Sequence, residues 1–125
     1  MKIKTDFTTN SSSSSFVIAI KSGATVQEVE DSISESELTS FIEENGEYIY
    51  DFEELPKDAS LEDKVSFAKH ELARTFVNEV KNGIELDGWK VAAMEGGSED
   101  GDLTGNFLYG GCDVNSPILK TKGFD

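Results

Sequence analysis

Phe16-Val17-Ile18-Ala19-Ile20 is the stretch that decides how the rest of the chain is read. It is a compact run of β-branched and aromatic side chains, the composition of a buried strand. Five residues fall short of the roughly seven to fifteen of a secretory h-region and the about twenty of a membrane helix. Asp6 also interrupts the short basic start Met1-Lys2-Ile3-Lys4. The run is therefore placed as a central strand of a soluble domain. With no targeting or membrane segment evident, the expected location is the cytoplasm.

Working outward, Ile3-Lys4-Thr5-Asp6-Phe7 alternates apolar and polar residues and predicts a short strand. Ser22-Gly23 makes a turn, after which Thr25 with Glu28 forms a capping box. Val26, Val29 and Ile33 make an apolar stripe that Leu38, Phe41 and Ile42 do not continue, and a second box, Ser34 with Glu37, falls at the break. Two short helices, about 26–33 and 35–44, follow from this, with Asn45-Gly46 ending the second. Tyr48-Ile49-Tyr50-Asp51-Phe52 reads as an aromatic-rich strand. Beyond Pro56, Ser60 caps the longest helix, about 61–82, whose stripe is Leu61, Val65, Ala68, Leu72, Phe76 and Val80. Phe67 and Val77 lie off that stripe, so a second side of this helix is covered, either by the fold or by a partner.

The last third is richer in glycine. Trp89-Lys90-Val91-Ala92-Ala93-Met94 reads as a strand, Leu103 to Tyr109 as its hairpin partner across Glu95–Asp102, and Ile118–Thr121 as an edge strand. The elements add up to an α+β fold: a mostly antiparallel sheet of about five strands, with one long and two short helices packed on one face. The 125 residues suit one domain spanning 1–125, long enough to bury a core without disulfides or metal.

The formal charge is −14, and residues 28–63 concentrate it: fourteen acids stand against the single base Lys57, a local charge of −13. The rest of the chain is nearly balanced. Such a field repels nucleic acid and anionic membranes and attracts basic protein surfaces. Its densest part, Glu43, Glu44, Glu47, Asp51, Glu53 and Glu54, is the candidate binding face. Aromatics interleaved with those acids suit hydrophobic anchors inside a charged rim. On a strand, however, Tyr48, Tyr50 and Phe52 share one face and serve equally well as core. Plain solubility is the competing account of the charge.

Catalytic signatures are sparse. Cys112 and His70 are the only soft ligands, which excludes a four-ligand zinc site and leaves Cys112 unable to form a disulfide within the chain. Cys112 reads as a small buried filler and His70 as a solvated helix residue. No Gly-x-Ser-x-Gly elbow is present, so a serine hydrolase is not expected. The loop Glu95–Asp102 offers hard oxygens for a divalent cation but lacks the acid spacing of an EF-hand, and its carboxylates would repel phosphate. No metal or other cofactor is expected.

The serine run Ser11, Ser12, Ser13, Ser14 and Ser15 is the most unusual local feature. It reads as a modification acceptor or an anion-binding loop, or more simply as a flexible low-complexity turn before the buried strand. The opening of the chain, Phe7-Thr8-Thr9-Asn10 followed by these serines and Phe16, resembles the start of a set of uncharacterised bacterial and phage proteins. Those chains begin with a short basic segment, a phenylalanine, a Thr/Ser-Asn pair, about five serines and an aromatic. The resemblance covers about a sixth of the chain and implies a phage, prophage or mobile-element origin without assigning any activity.

The reading that results is a small acidic phage-type protein of non-catalytic role, whose acidic face binds a basic partner and, in the sharpest version of the reading, mimics nucleic acid. The alternatives are a small carboxylate-based enzyme or divalent-cation-binding protein, and a structural or assembly protein that uses Phe67 and Val77 at an interface between copies.

Overall fold

The computed structural model describes residues 13–97, 103–109 and 114–124. The quoted run lies within β1 (Ser13–Lys21), which is central. Together with β2 (Ile84–Leu86), β3 (Trp89–Gly97) and β4 (Leu119–Phe124) it forms a four-stranded sheet of order β2-β3-β1-β4, in which every neighbouring pair is antiparallel. The helices are α1 (Val26–Asp31), α2 (Glu35–Asn45), α3 (Leu61–Lys81) and α4 (Leu103–Tyr109), with two 3-10 turns at Gly46–Tyr48 and Tyr50–Glu54.

The helix starts follow from capping chemistry. Thr25 and Ser60 each accept an N3 amide while the N3 acid, Glu28 or Asp63, accepts the cap's own amide. Ser34 accepts from the Glu37 amide at the head of α2. The break between α1 and α2 thus falls where the apolar stripe changes phase. The long helix ends at Lys81 with Asn82 as its cap, and Gly83 just beyond is glycine for a steric reason: a Cβ built there would lie 2.1 Å from the Val91 carbonyl oxygen. Chain and sheet approach too closely at this point for any side chain.

One core joins sheet and helices. β1 contributes Phe16, Ile18 and Ile20, β4 contributes Leu119, and α3 contributes Val65, Ala68, Leu72, Ala73, Phe76 and Val80. The α3 helix packs on β1 and β3, α1 and α2 pack against α3, and α4 contacts the sheet through β1, β3 and β4 and the helices through α3. Phe67 and Val77 pack against the same core, and the Phe67 ring centroid is 5.9 Å from that of Phe52. The second covered side of α3 is therefore supplied by the chain itself, which removes the reason to assign these two residues to an interface between copies.

Several expectations are corrected. The sheet has four described strands rather than about five. Tyr48–Phe52 is not a strand: its 3-10 turns send Ile49 and Phe52, three residues apart, into the core and leave Tyr50 exposed at 56%. Leu103–Tyr109 is helical, not the hairpin partner of β3; its buried residues Leu103, Thr104, Phe107 and Leu108 fall at helical spacing, and Phe107 meets Phe41 edge-to-face at 5.6 Å. The partner of β3 on that side is β2, joined to it by Asp87-Gly88, both at positive φ (52° and 85°), the backbone of a type I′ hairpin turn. The edge strand expected at Ile118–Thr121 is β4, running on to Phe124. The segment Ile3–Phe7 lies outside the described residues.

Candidate interaction faces

The acidic stretch folds almost wholly into the helical layer. Glu28, Glu30 and Asp31 stand on α1; Glu35, Glu37, Glu43 and Glu44 on α2; Glu47, Asp51, Glu53 and Glu54 on the 3-10 turns; Glu62 and Asp63 on the first turn of α3, with Asp58 just before it. All are exposed except Glu30 and Asp51, which are half-buried. Among the described residues, Lys69 Nζ is 3.9 Å from Glu35, and His70 Nδ1 is 3.3 Å from Glu30. Lys64, Arg74 and Lys81 on α3 make no ion pair with this set among the described residues, Arg74 being held by Glu71 of its own helix at 2.6 Å.

Some of these carboxylates also serve the fold. Glu28 and Asp63 complete capping boxes, and Asp31 accepts from Gln27 at 2.9 Å. Asp51 accepts the Leu103 amide at 3.4 Å, fastening the start of α4 to the 3-10 turns. Five acids, Glu28, Glu35, Glu37, Glu62 and Asp63, sit in first turns, where the helix dipole favours them. Glu43 and Glu44 are in the opposite position. They stand at the end of α2, whose last turn has no basic residue, and Glu47 follows within one turn. There the dipole and mutual repulsion both oppose their charge, so their placement carries a local cost.

The candidate face Glu43, Glu44, Glu47, Asp51, Glu53 and Glu54 thus occupies one continuous length of chain at the end of α2 and along the 3-10 turns, with exposed Tyr50 in its midst. The aromatics that flank it divide: Phe52 is core and Tyr50 is surface.

The serine run has a different setting from the one expected. Ser13, Ser14 and Ser15 open the central strand, paired by register with Gly97, Gly96 and Glu95. They are strand rather than loop or turn, which counts against an anion-binding loop at these three positions. Ser11 and Ser12 lie outside the described residues, as do Cys112 and most of the Glu95–Asp102 loop. His70 is an exposed residue of α3, as its sequence position implies. Among the described residues no three His, Cys, Asp or Glu side chains gather as a metal site, and no helix is long and apolar enough to cross a membrane.

A second face was not foreseen. The strand positions that alternate with the core residues point away from the helices, and their side chains run across the sheet in rows. Ile84 stands opposite Val91, Val91 opposite Ala19, and Ala19 opposite Lys120. Leu86 stands opposite Trp89, and Trp89 opposite Lys21. Ala93, Val17 and Lys122 make the third row. None of these residues belongs to the core cluster or packs against it. Ile84 is 63% exposed and Leu86 56%. The ammonium groups of Lys21 and Lys120 lie 5.8 and 5.5 Å from the Trp89 ring centroid, within cation–π range. The signal that would have revealed this face was the Asp87-Gly88 hairpin turn, which fixes the register of Ile84 and Leu86 against Val91 and Trp89.

No protein-family model matches the chain, and no curated protein or solved structure is significantly similar to it.

Proposed function

We propose that the protein is a non-catalytic interaction module whose acidic helical layer binds a basic protein surface. The observation that carries this reading is the exposure of most carboxylates of residues 28–63, of which, among the described residues, basic groups meet Glu30 and Glu35. Their potential is therefore directed outward. The unfavourable placement of Glu43 and Glu44 supports it further, since local conflicts with helix chemistry tend to fall where a surface serves something other than stability. In its most specific form the partner is a host nucleic-acid-binding protein, and the chain, of phage or prophage origin, stands in for the phosphates of its ligand. Fourteen acids in residues 28–63 give the charge density that this role needs, and exposed Tyr50 offers an aromatic surface beside them.

The test is the binding of the full chain to a panel of basic nucleic-acid-binding proteins, followed kinetically at low and high salt. Steered association should be fast at low salt and slow by about a hundredfold or more as salt screens it. The triple substitution Glu43→Gln, Glu44→Gln, Glu47→Gln should reduce the association rate and leave the melting temperature unchanged or higher. Binding that ignores salt, or no binding across the panel, counts against the proposal.

A further inference from the structure

Among the described residues no helix packs on the outward side of the sheet, which pairs an apolar strip with a row of lysines. Ile84, Leu86, Val91 and Trp89 lie toward β2 and β3, and Lys21, Lys120 and Lys122 toward β1 and β4. An antiparallel sheet can leave one face to water, but such a face is ordinarily polar along its outward positions. Here the outward residues of β2 are Ile and Leu, and the outward positions of β3 from Trp89 to Ala93 are Trp, Val and Ala, with Glu95 and Gly97 following in the same alternation. The occupant that suits this face must bring apolar groups to its strip and carboxylates to its lysines. Two copies meeting sheet to sheet do not qualify, because a shared dyad sets each lysine row either against the partner's lysines or over its apolar strip, and neither arrangement brings carboxylates to the ammonium groups.

The chain carries the required complement on its other side. Four large hydrophobic residues stand exposed among the described residues: Ile84 and Leu86 on the lysine-bearing sheet, and Tyr50 and Leu61 in the acidic stretch. Tyr50 is flanked by Glu47, Asp51, Glu53 and Glu54, and Leu61 by Glu62 and Asp63. The packing of Phe52 on Phe67 sets the 3-10 turns against the first half of α3, the half that begins at Leu61, so both exposed residues belong to the same end of the helical layer. The sheet face is apolar and basic, and the acidic stretch carries the other two exposed hydrophobics, with Tyr50 among the densest acids.

We infer that the open sheet face docks a second copy of this chain, head to tail, by its acidic end around Tyr50. The interface is heterologous, so each copy offers one face to each neighbour, and association extends beyond two copies as an open series or a closed ring. The partner proposed above would use the same acidic end and would compete with this contact. The two proposals remain separable, since self-association is measured with no other protein present.

Trp89 is the single tryptophan of the chain and lies on the docking face, so its fluorescence reports occupancy. In sedimentation velocity the mass of the full-length protein should rise with concentration over about 10 µM to 1 mM, the span of a weak contact, with a blue shift of the Trp89 emission. Two variants decide the geometry. The first, Leu86→Ser with Lys120→Ser, removes the sheet side. The second, Tyr50→Ser with Glu53→Gln, removes the acidic side. All four positions are exposed, so both variants should fold, with circular dichroism as the check. Each alone should be monomeric across the range. Mixed in equal amounts they should form a dimer that stops at two, because each retains the face that the other lacks. A monomeric wild type overturns the inference. So does a mixture that stays monomeric, or either variant still associating on its own.

Discussion

Gly83 is where the geometry leaves least freedom. The helix α3 turns into β2 there against the backbone of β3, and a methyl group would fall 2.1 Å from the Val91 carbonyl oxygen. Backbone cannot move aside as a flexible side chain can. Gly83→Ala should therefore destabilise the protein by about 1–3 kcal/mol, the usual cost of forced overpacking, read as a lower urea midpoint at unchanged slope. Gly88 is constrained for a different reason: its φ of 85° belongs to the hairpin turn, and nothing stands near the space a side chain would fill. Thr121 shows how a buried polar side chain is accommodated. It is 5% exposed and its Oγ1 accepts the Val114 amide at 2.8 Å. Thr121→Val keeps the shape but leaves that amide without its acceptor, and should cost about 1–3 kcal/mol in the same measurement.

Among the elements, α2 is the one whose sequence conflicts with its own dipole. Glu43 and Glu44 stand in its last turn with no basic residue beside them. Glu44→Lys should stabilise the protein by about 0.3–1 kcal/mol at low salt, and the gain should shrink as salt is added. An unchanged melting temperature at low salt would mean that the end of α2 is already compensated. At this scale the sequence was readable wherever local chemistry and tertiary packing agreed. The caps at Thr25, Ser34 and Ser60 placed three helix starts to the residue, and the phase change after Ile33 separated α1 from α2. It misled where propensity and packing diverge. Tyr48–Phe52 has the composition of a strand, yet the informative feature was the spacing of Ile49 and Phe52, three apart, which suits a 3-10 turn. Leu103–Tyr109 contains Gly105 and Asn106, poor helix formers, and is helical because Leu103, Phe107 and Leu108 all reach the core. The strand β2 was missed because it is three residues long and wholly exposed, so no buried alternation marks it.

For the molecule as a whole, the acids and the sheet lysines are held apart by the core. The crowding of negative charge in the helical layer was legible from residues 28–63 alone, since a continuous stretch that folds into one layer keeps its charges together. The lysine-bearing face was not, because Lys21, Lys120 and Lys122 come from the two ends of the chain and meet only through the pairing of β1 with β4. A net charge of −14 on a small domain also repels itself, so the melting temperature should rise between low salt and about 0.5 M sodium chloride, where the Debye length falls to a few ångströms. A flat response would mean that the carboxylates stand too far apart to interact. The position of β1 has a consequence for synthesis. Its neighbours on both sides, β3 and β4, come from the far end of the chain, with Lys21 opposite Trp89 and Ile20 opposite Leu119. At about 5–20 residues per second, a ribosome delivers the greasiest strand several seconds before either flank exists to shield it. Throughout that interval Phe16–Ile20 is exposed to chaperones and to other nascent chains, and shortening the C-terminus by the length of β4 would make part of that exposure permanent.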